Sequence, residues 1–199
     1  MAERGFMRKA IGILVALLLT SQTYFETMDI LTTNVPCAES SYTISAENQL
    51  STVMAAARTW LYEDDIDLLT NCLYGEARGL DDTQKSAVIW VVLNRVDAEY
   101  GTIHEVVTAP NQFTGYNANR ILKSAAAVEV WEDCREVVID VLCRWYAEKL
   151  ECENIGRTLP KNYMWYGGDG KVNWFRDNYN RKECNYWDWS LESPYSDNI

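Results

Sequence analysis

The seven residues Ala87-Val88-Ile89-Trp90-Val91-Val92-Leu93 leave a helix no polar side. A helix that is apolar all the way round must be covered on every face, so the rest of the chain has to wrap this stretch as its centre. Just upstream, Asp81-Asp82-Thr83-Gln84 supplies a capping box of the D-x-x-Q kind, and the helix is expected to run to about Asp97. A chain of 199 residues, 48% of them hydrophobic, can build one core of this kind, and a second full domain is not expected.

The segment before this helix carries the chemistry. Ile66, Leu69, Cys72, Leu73 and Glu76 fall at helical spacing, so the carboxylate continues an apolar stripe instead of a wet face. An acid on such a stripe is penalised in its charged form, and the negative end of a helix stopping near Gly79 works in the same direction. A general acid is made in this way. The same pattern suits a core-edge Glu paired with Arg78 or Arg95, and the residues alone leave both readings open. This helix is expected to start at Asp64 or Asp65.

Leu73-Tyr74-Gly75-Glu76-Ala77-Arg78-Gly79, then Ala87-Val88 and Val91-Val92-Leu93-Asn94-Arg95-Val96, then Asn111-Gln112-Phe113-Thr114 resemble, in order and spacing, the bacterial cell wall hydrolases that include the catalytic domain of spore-cortex lytic enzymes. The resemblance covers roughly Asp65 to Tyr116 and is looser in the C-terminal third. It implies peptidoglycan as the substrate and Glu76 as the catalytic acid. It also implies the fold, an α+β, mainly helical, lysozyme-like (lytic transglycosylase-like) single domain, here with a small C-terminal β-hairpin. Two departures stand out. Leu80 follows the motif where the family often has a second Glu, and the family's usual C-terminal G-N-H-x-F segment is not recognisable.

A net charge of -11 argues against nucleic acid as a partner, since a polyanion would be repelled and no basic stripe offsets the field. Neutral sugars are compatible with it. At the N-terminus, Arg4, Arg8 and Lys9 precede the apolar run Ala10 to Leu19, which is short for a bilayer span and has the layout of a secretory signal. Residues 1–22 are therefore expected to be a signal peptide, with an uncleaved anchor as the alternative. Residues 23–59 read as a linker and an N-terminal helix capped by Ser45, and 60–199 as the catalytic domain. The expected location is secreted or cell wall associated, with membrane contact only in transit through the signal segment.

Six cysteines in an exported chain invite disulfides, which can pair in 15 ways. Cys134 lies on the stripe Trp131, Cys134, Val138, Val141, Trp145 and reads as a buried thiol, while Cys143 falls on the opposite side of that helix. Cys152 and Cys184, which bracket the aromatic C-terminal segment, are the favoured bridge. No cofactor or metal is expected, because the cysteine spacings are not those of a zinc site and His104 is the only histidine.

Thr102-Ile103-His104-Glu105 forms another capping box, opening a short helix that Pro110 stops, and His104 and Glu105 are expected to face solvent. In the loop after Pro110, Gln112, Phe113 and Thr114 are candidate sugar contacts, with Phe113 tucked into the core as the alternative. A long helix is expected from Ser124 to about Glu151. The last 40 residues hold Trp165, Trp174, Trp187 and Trp189, half of the chain's 8 tryptophans, and a hairpin is expected with strands 162–166 and 171–175 about the turn Gly167-Gly168-Asp169-Gly170. Trp165, Tyr166 and Asp169 are its candidate substrate contacts.

Ordinary glycosidases need two carboxylates, and only Glu76 sits in a motif. With no second acid to activate water, the muramic acid 6-hydroxyl can attack in its place. The expected reaction is therefore cleavage of the glycan strand between N-acetylmuramic acid and N-acetylglucosamine by a lytic transglycosylase, as the resemblance also implies. A hydrolytic muramidase and a non-catalytic peptidoglycan-binding wall protein are the alternatives.

Overall fold

The computed structural model describes residues 46–189, so the expected signal segment, the expected linker before Ala46, Ser45 and Cys37 lie outside the described residues. Five helices, α1 (Ala46–Arg58), α2 (Glu63–Ala77), α3 (Asp82–Asp97), α4 (Ile103–Thr108) and α5 (Ala125–Lys149), are followed by two antiparallel strands, β1 (Trp165–Gly168) and β2 (Asn173–Arg176). The molecule is mainly helical with a small two-stranded sheet.

Helix α3 is the centre, as its composition requires. Ala87 to Leu93 are fully buried, and each large side chain among them contributes roughly 1.5–3 kcal/mol by leaving water. Asp81 caps the helix by accepting the Gln84 N–H at 2.9 Å. The Gln84 side chain does not close the box on the Asp81 backbone; it bonds the Asp81 carboxylate at 3.3 Å and, through its oxygen, accepts the N–H of Asn173 in β2 at 2.8 Å.

Helix α2 begins at Glu63, slightly earlier than expected, after an extended Tyr62 that offers no side-chain cap. Glu63, Asp64 and Asp65 in its first turn suit the positive end of the helix dipole in place of a cap. The full capping box of α4 is present, with Thr102 and Glu105 bonding each other's backbone N–H, and His104 and Glu105 are exposed. Ser124 caps α5, whose Cys134, Val138, Val141 and Trp145 are buried. Cys143 is buried too, although it lies on the other side of α5, because α1 packs there and brings Met54 and Arg58 around it.

Two expectations need correction. Cys152 and Cys184 are both free, as are Cys72, Cys134 and Cys143, so the favoured bridge does not form among the described residues. The hairpin is also displaced by two residues. Gly167 and Gly168 belong to β1, opposite Trp174 and Asn173, and the turn is Asp169 to Val172. The reason lies in α3: Asn94 donates to the carbonyls of Pro160 and Tyr163 at 2.9 and 2.8 Å, and Arg95 Nε donates to that of Met164 at 2.8 Å. These bonds hold 160–164 against the helix and delay the start of the ladder to Trp165. The turn closes on Asp169, whose carboxylate accepts the N–H groups of Lys171 and Val172, with Gly170 at φ +84°. Much of the C-terminal aromatic content packs on itself: Tyr163 meets Trp187, and Phe175 meets Tyr166 and Trp189.

Candidate active site

Glu76 occupies the last turn of α2, half-buried, and both of its oxygens are held. Oε1 accepts the N–H of Gly115 at 2.5 Å, and Oε2 accepts the hydroxyl of Tyr166 at 2.7 Å. Each carboxylate oxygen can accept twice, so a free acceptor position on each remains for proton exchange with a ligand. Neither Arg78 nor Arg95 pairs with it. Arg78 donates to the Tyr74 carbonyl, and Arg95 donates to Met164 and to the Gln112 side chain. The ion-pair reading left open by the sequence is thereby set aside.

Burial first, and then the charge of Glu76, raise the Tyr166 phenol well above its ordinary pKa, so it stays protonated and donates. Beneath the acid, burial likewise pushes up the Cys72 thiol, with Glu76 adding to the effect, which leaves Cys72 a packing group and not a nucleophile. Burial lowers the pKa of Arg95, yet three hydrogen-bonding and ring contacts, to Met164, Gln112 and the face of Phe113, hold it in place.

The donor from Gly115 depends on an unusually close approach of two backbones. A Cβ on Gly75 would stand 1.8 Å from the Gly115 oxygen, and one on Gly115 would stand 2.5 Å from the Gly75 carbonyl. Both positions therefore require glycine, and the contact lets a loop N–H reach a helix side chain. Arg120 fixes the loop by donating to the Gly115 carbonyl at 2.6 Å while its guanidinium lies over the Tyr74 ring.

A cleft of about 780 Å³ opens over Glu76, bounded by the end of α2, the Pro110 loop and the hairpin. Gln112, Trp165 and Tyr166 line it, together with Arg78, Arg176 and Tyr179. Thr114 is exposed but outside the lining. Phe113 is buried in the core at 5% exposure, against Tyr166 and under Arg95, so its ring has no face left for a sugar. Asp169 sits at the turn with its carboxylate committed to the backbone, and those bonds hold it below the usual carboxylate range. Among the described residues, Glu76 is the one acid lining the cleft.

Sequence reasoning missed the roles of Gly75, Gly115 and Arg120. A glycine inside a helix costs about 1 kcal/mol relative to alanine, so Gly75 carried a signal of close approach, but its partner 40 residues away did not.

Part of the sequence has a counterpart among known proteins. The chain resembles a spore cortex-lytic enzyme. The likeness is to the enzyme of Oceanobacillus iheyensis, 33% identical over 85 residues, which is 42% of this chain and 29% of that relative. The chain thus spans well under half of the relative's length. No family profile matches the chain. No solved structure matches it either.

Proposed function

We propose that the chain is a peptidoglycan-degrading enzyme of lysozyme-like type that cleaves the glycan strand between N-acetylmuramic acid and N-acetylglucosamine as a lytic transglycosylase. The observation that carries this is the single carboxylate in the cleft, held by Tyr166 and Gly115 with an acceptor position free on each oxygen. The printed name of the relative, a spore cortex-lytic enzyme, supports the substrate class.

Protonated Glu76 gives its proton to the glycosidic oxygen, and the bond from that oxygen to the muramic acid anomeric carbon breaks. The 6-hydroxyl of the same muramic acid forms the new bond to that carbon, and its proton passes to the Glu76 carboxylate. Atoms and charge balance without water, and the products are a 1,6-anhydro end and a free 4-hydroxyl. A hydrolase would need a second acid to activate water, and no other acid lines the cleft among the described residues. Gln112, Trp165 and Tyr166 are the lining residues to which sugar contact is assigned, and 60–199 is the catalytic domain. Export through the 1–22 segment would bring it to the wall.

The test is digestion of purified peptidoglycan in heavy-oxygen water, with products identified by mass spectrometry. Anhydro ends without label are expected. Reducing muramic acid ends carrying the label would replace this reading with that of a hydrolytic muramidase.

A further inference from the structure

Arg95 lines the same cleft as Glu76 at 7% exposure, yet it makes no ion pair among the described residues. A guanidinium buried without a counter-charge is costly, and its hydrogen bonds have to offset that cost. Those bonds reach both walls of the cleft. Nε donates at 2.8 Å to the carbonyl of Met164, which leads into the hairpin bearing Trp165 and Tyr166. Nη1 donates at 2.9 Å to Gln112 Oε1 on the Pro110 loop.

The bond to Gln112 fixes more than a position. Arginine has donors and no acceptor, so the Gln112 amide must turn its oxygen toward Arg95. Its Nε2 then has no partner among the described residues, and Gln112 is exposed and lines the cleft. Its neighbours in the chain reinforce this contact. Asn111 stands at φ +59°, a left-handed conformation that asparagine adopts more readily than most residues. Phe113 packs under Arg95, with the guanidinium carbon 5.3 Å from the ring centroid.

We propose that Arg95 is a positioning residue that locks the Gln112 amide, so that this wall of the cleft presents an N–H donor with its oxygen turned away. A free glutamine amide can rotate to accept from a hydroxyl or to donate to a carbonyl; the locked one reads an acceptor oxygen of the ligand. Because the same guanidinium bonds Met164, the donor is also held at a fixed separation from the hairpin wall. The inference rests on the reading of the cleft as a glycan site, and adds to it the polarity of one contact and the residue that sets it. Arg95 acts through Gln112 and takes no part in bond breaking.

The experiment measures KM and kcat of the full chain on soluble peptidoglycan glycan strands. Gln112→Glu keeps the side-chain length and the bond to Arg95 but removes the donor, so KM should rise about tenfold, more than kcat falls, with Tm held. A folded Gln112→Glu protein with the KM of wild type would overturn the donor assignment. Arg95→Lys should also raise KM, whereas in the Gln112→Leu protein the same change should move KM by less than about twofold, because the group through which it acts is gone. An arginine that only supports the fold, or one that touches the glycan itself, would raise KM equally in both backgrounds, and that result would overturn the proposal. Should Arg95→Lys fail to fold, the Gln112→Glu result decides. Absence of any glycan cleavage by the wild-type chain would overturn the glycan reading and this inference with it.

Discussion

Glu76 is held by two donors of different kinds, and each can be removed separately. Tyr166→Phe keeps the ring contacts to Phe175 and Phe113, at centroid separations of 5.7 and 6.1 Å, and deletes only the hydroxyl. Turnover should fall by about tenfold or more, with a stability loss of about 1 kcal/mol, seen by comparing peptidoglycan solubilisation with a denaturant melt. Gly115→Ala acts on the other donor. Its Cβ would stand 2.9 Å from Glu76 Oε1 as well as against Gly75, so the loop must move, at about 1–3 kcal/mol, and the N–H that holds the acid moves with it. Loss of activity together with lowered Tm is the expected result; a fully active, fully stable Gly115→Ala protein would show that the two backbones are not in contact. Trp165 lines the cleft half-buried, so Trp165→Ala should lower retention on insoluble peptidoglycan more than it lowers Tm.

Among the elements, α3 does more than fill the core, since its last turns place the hairpin that carries Tyr166. Asn94→Leu would leave the carbonyl of Tyr163 without its side-chain donor and take one bond each from the Pro160 carbonyl, which keeps the Tyr163 N–H, and from Arg157 Nη1, which keeps the Leu159 carbonyl. Each unsatisfied buried group costs about 1–3 kcal/mol, so Tm should drop by several degrees and activity should fall with it as Tyr166 shifts. The cap of α4 gives a pH dependence. Thr102's backbone and hydroxyl hold the Glu105 carboxyl below its ordinary value, so its contribution is present above the unfolded-state pKa and is lost as pH falls through the lower folded value. Glu105→Gln should therefore lose less of its Tm on acidification than the parent protein does.

The elements were largely legible in the sequence because their signals are local. Capping residues at Asp81, Thr102 and Ser124 and the apolar run 87–93 fixed three helices to within a residue or two. The hairpin was legible in kind but not in register, because its start is set by Asn94 and Arg95 about 70 residues away and not by its own glycines. Glu76 and Gln112 could be named through the family resemblance and Trp165 and Tyr166 through the aromatic content of the hairpin, and all four line the cleft, while Phe113 is packed in the core against Arg95 and Tyr166. The Gly75–Gly115 contact depends on which backbones meet, and no spacing along the chain reports that.

At the scale of the whole molecule, a helical core built around α3 is tied to the segment that leads into the hairpin by a buried charge network. Arg157 is fully buried, stacked on Trp90, paired with Glu148 at 3.2 Å and bonded to Asn94 and Leu159. The chain as a whole carries -11, yet Arg78, Arg95 and Arg176 line the cleft in which Glu76 is the one acid among the described residues. The proposed function gives all proton transfer to that one carboxylate, and the claim stands or falls with it. The most direct measurement compares wild type with Glu76→Gln on purified peptidoglycan, following release of soluble muropeptides by mass spectrometry. The substitution keeps the volume and removes the titrating proton, so the variant should melt close to wild type and release anhydro-ended products at least a hundredfold more slowly. Release by a folded Glu76→Gln protein at a rate near that of wild type would contradict the account.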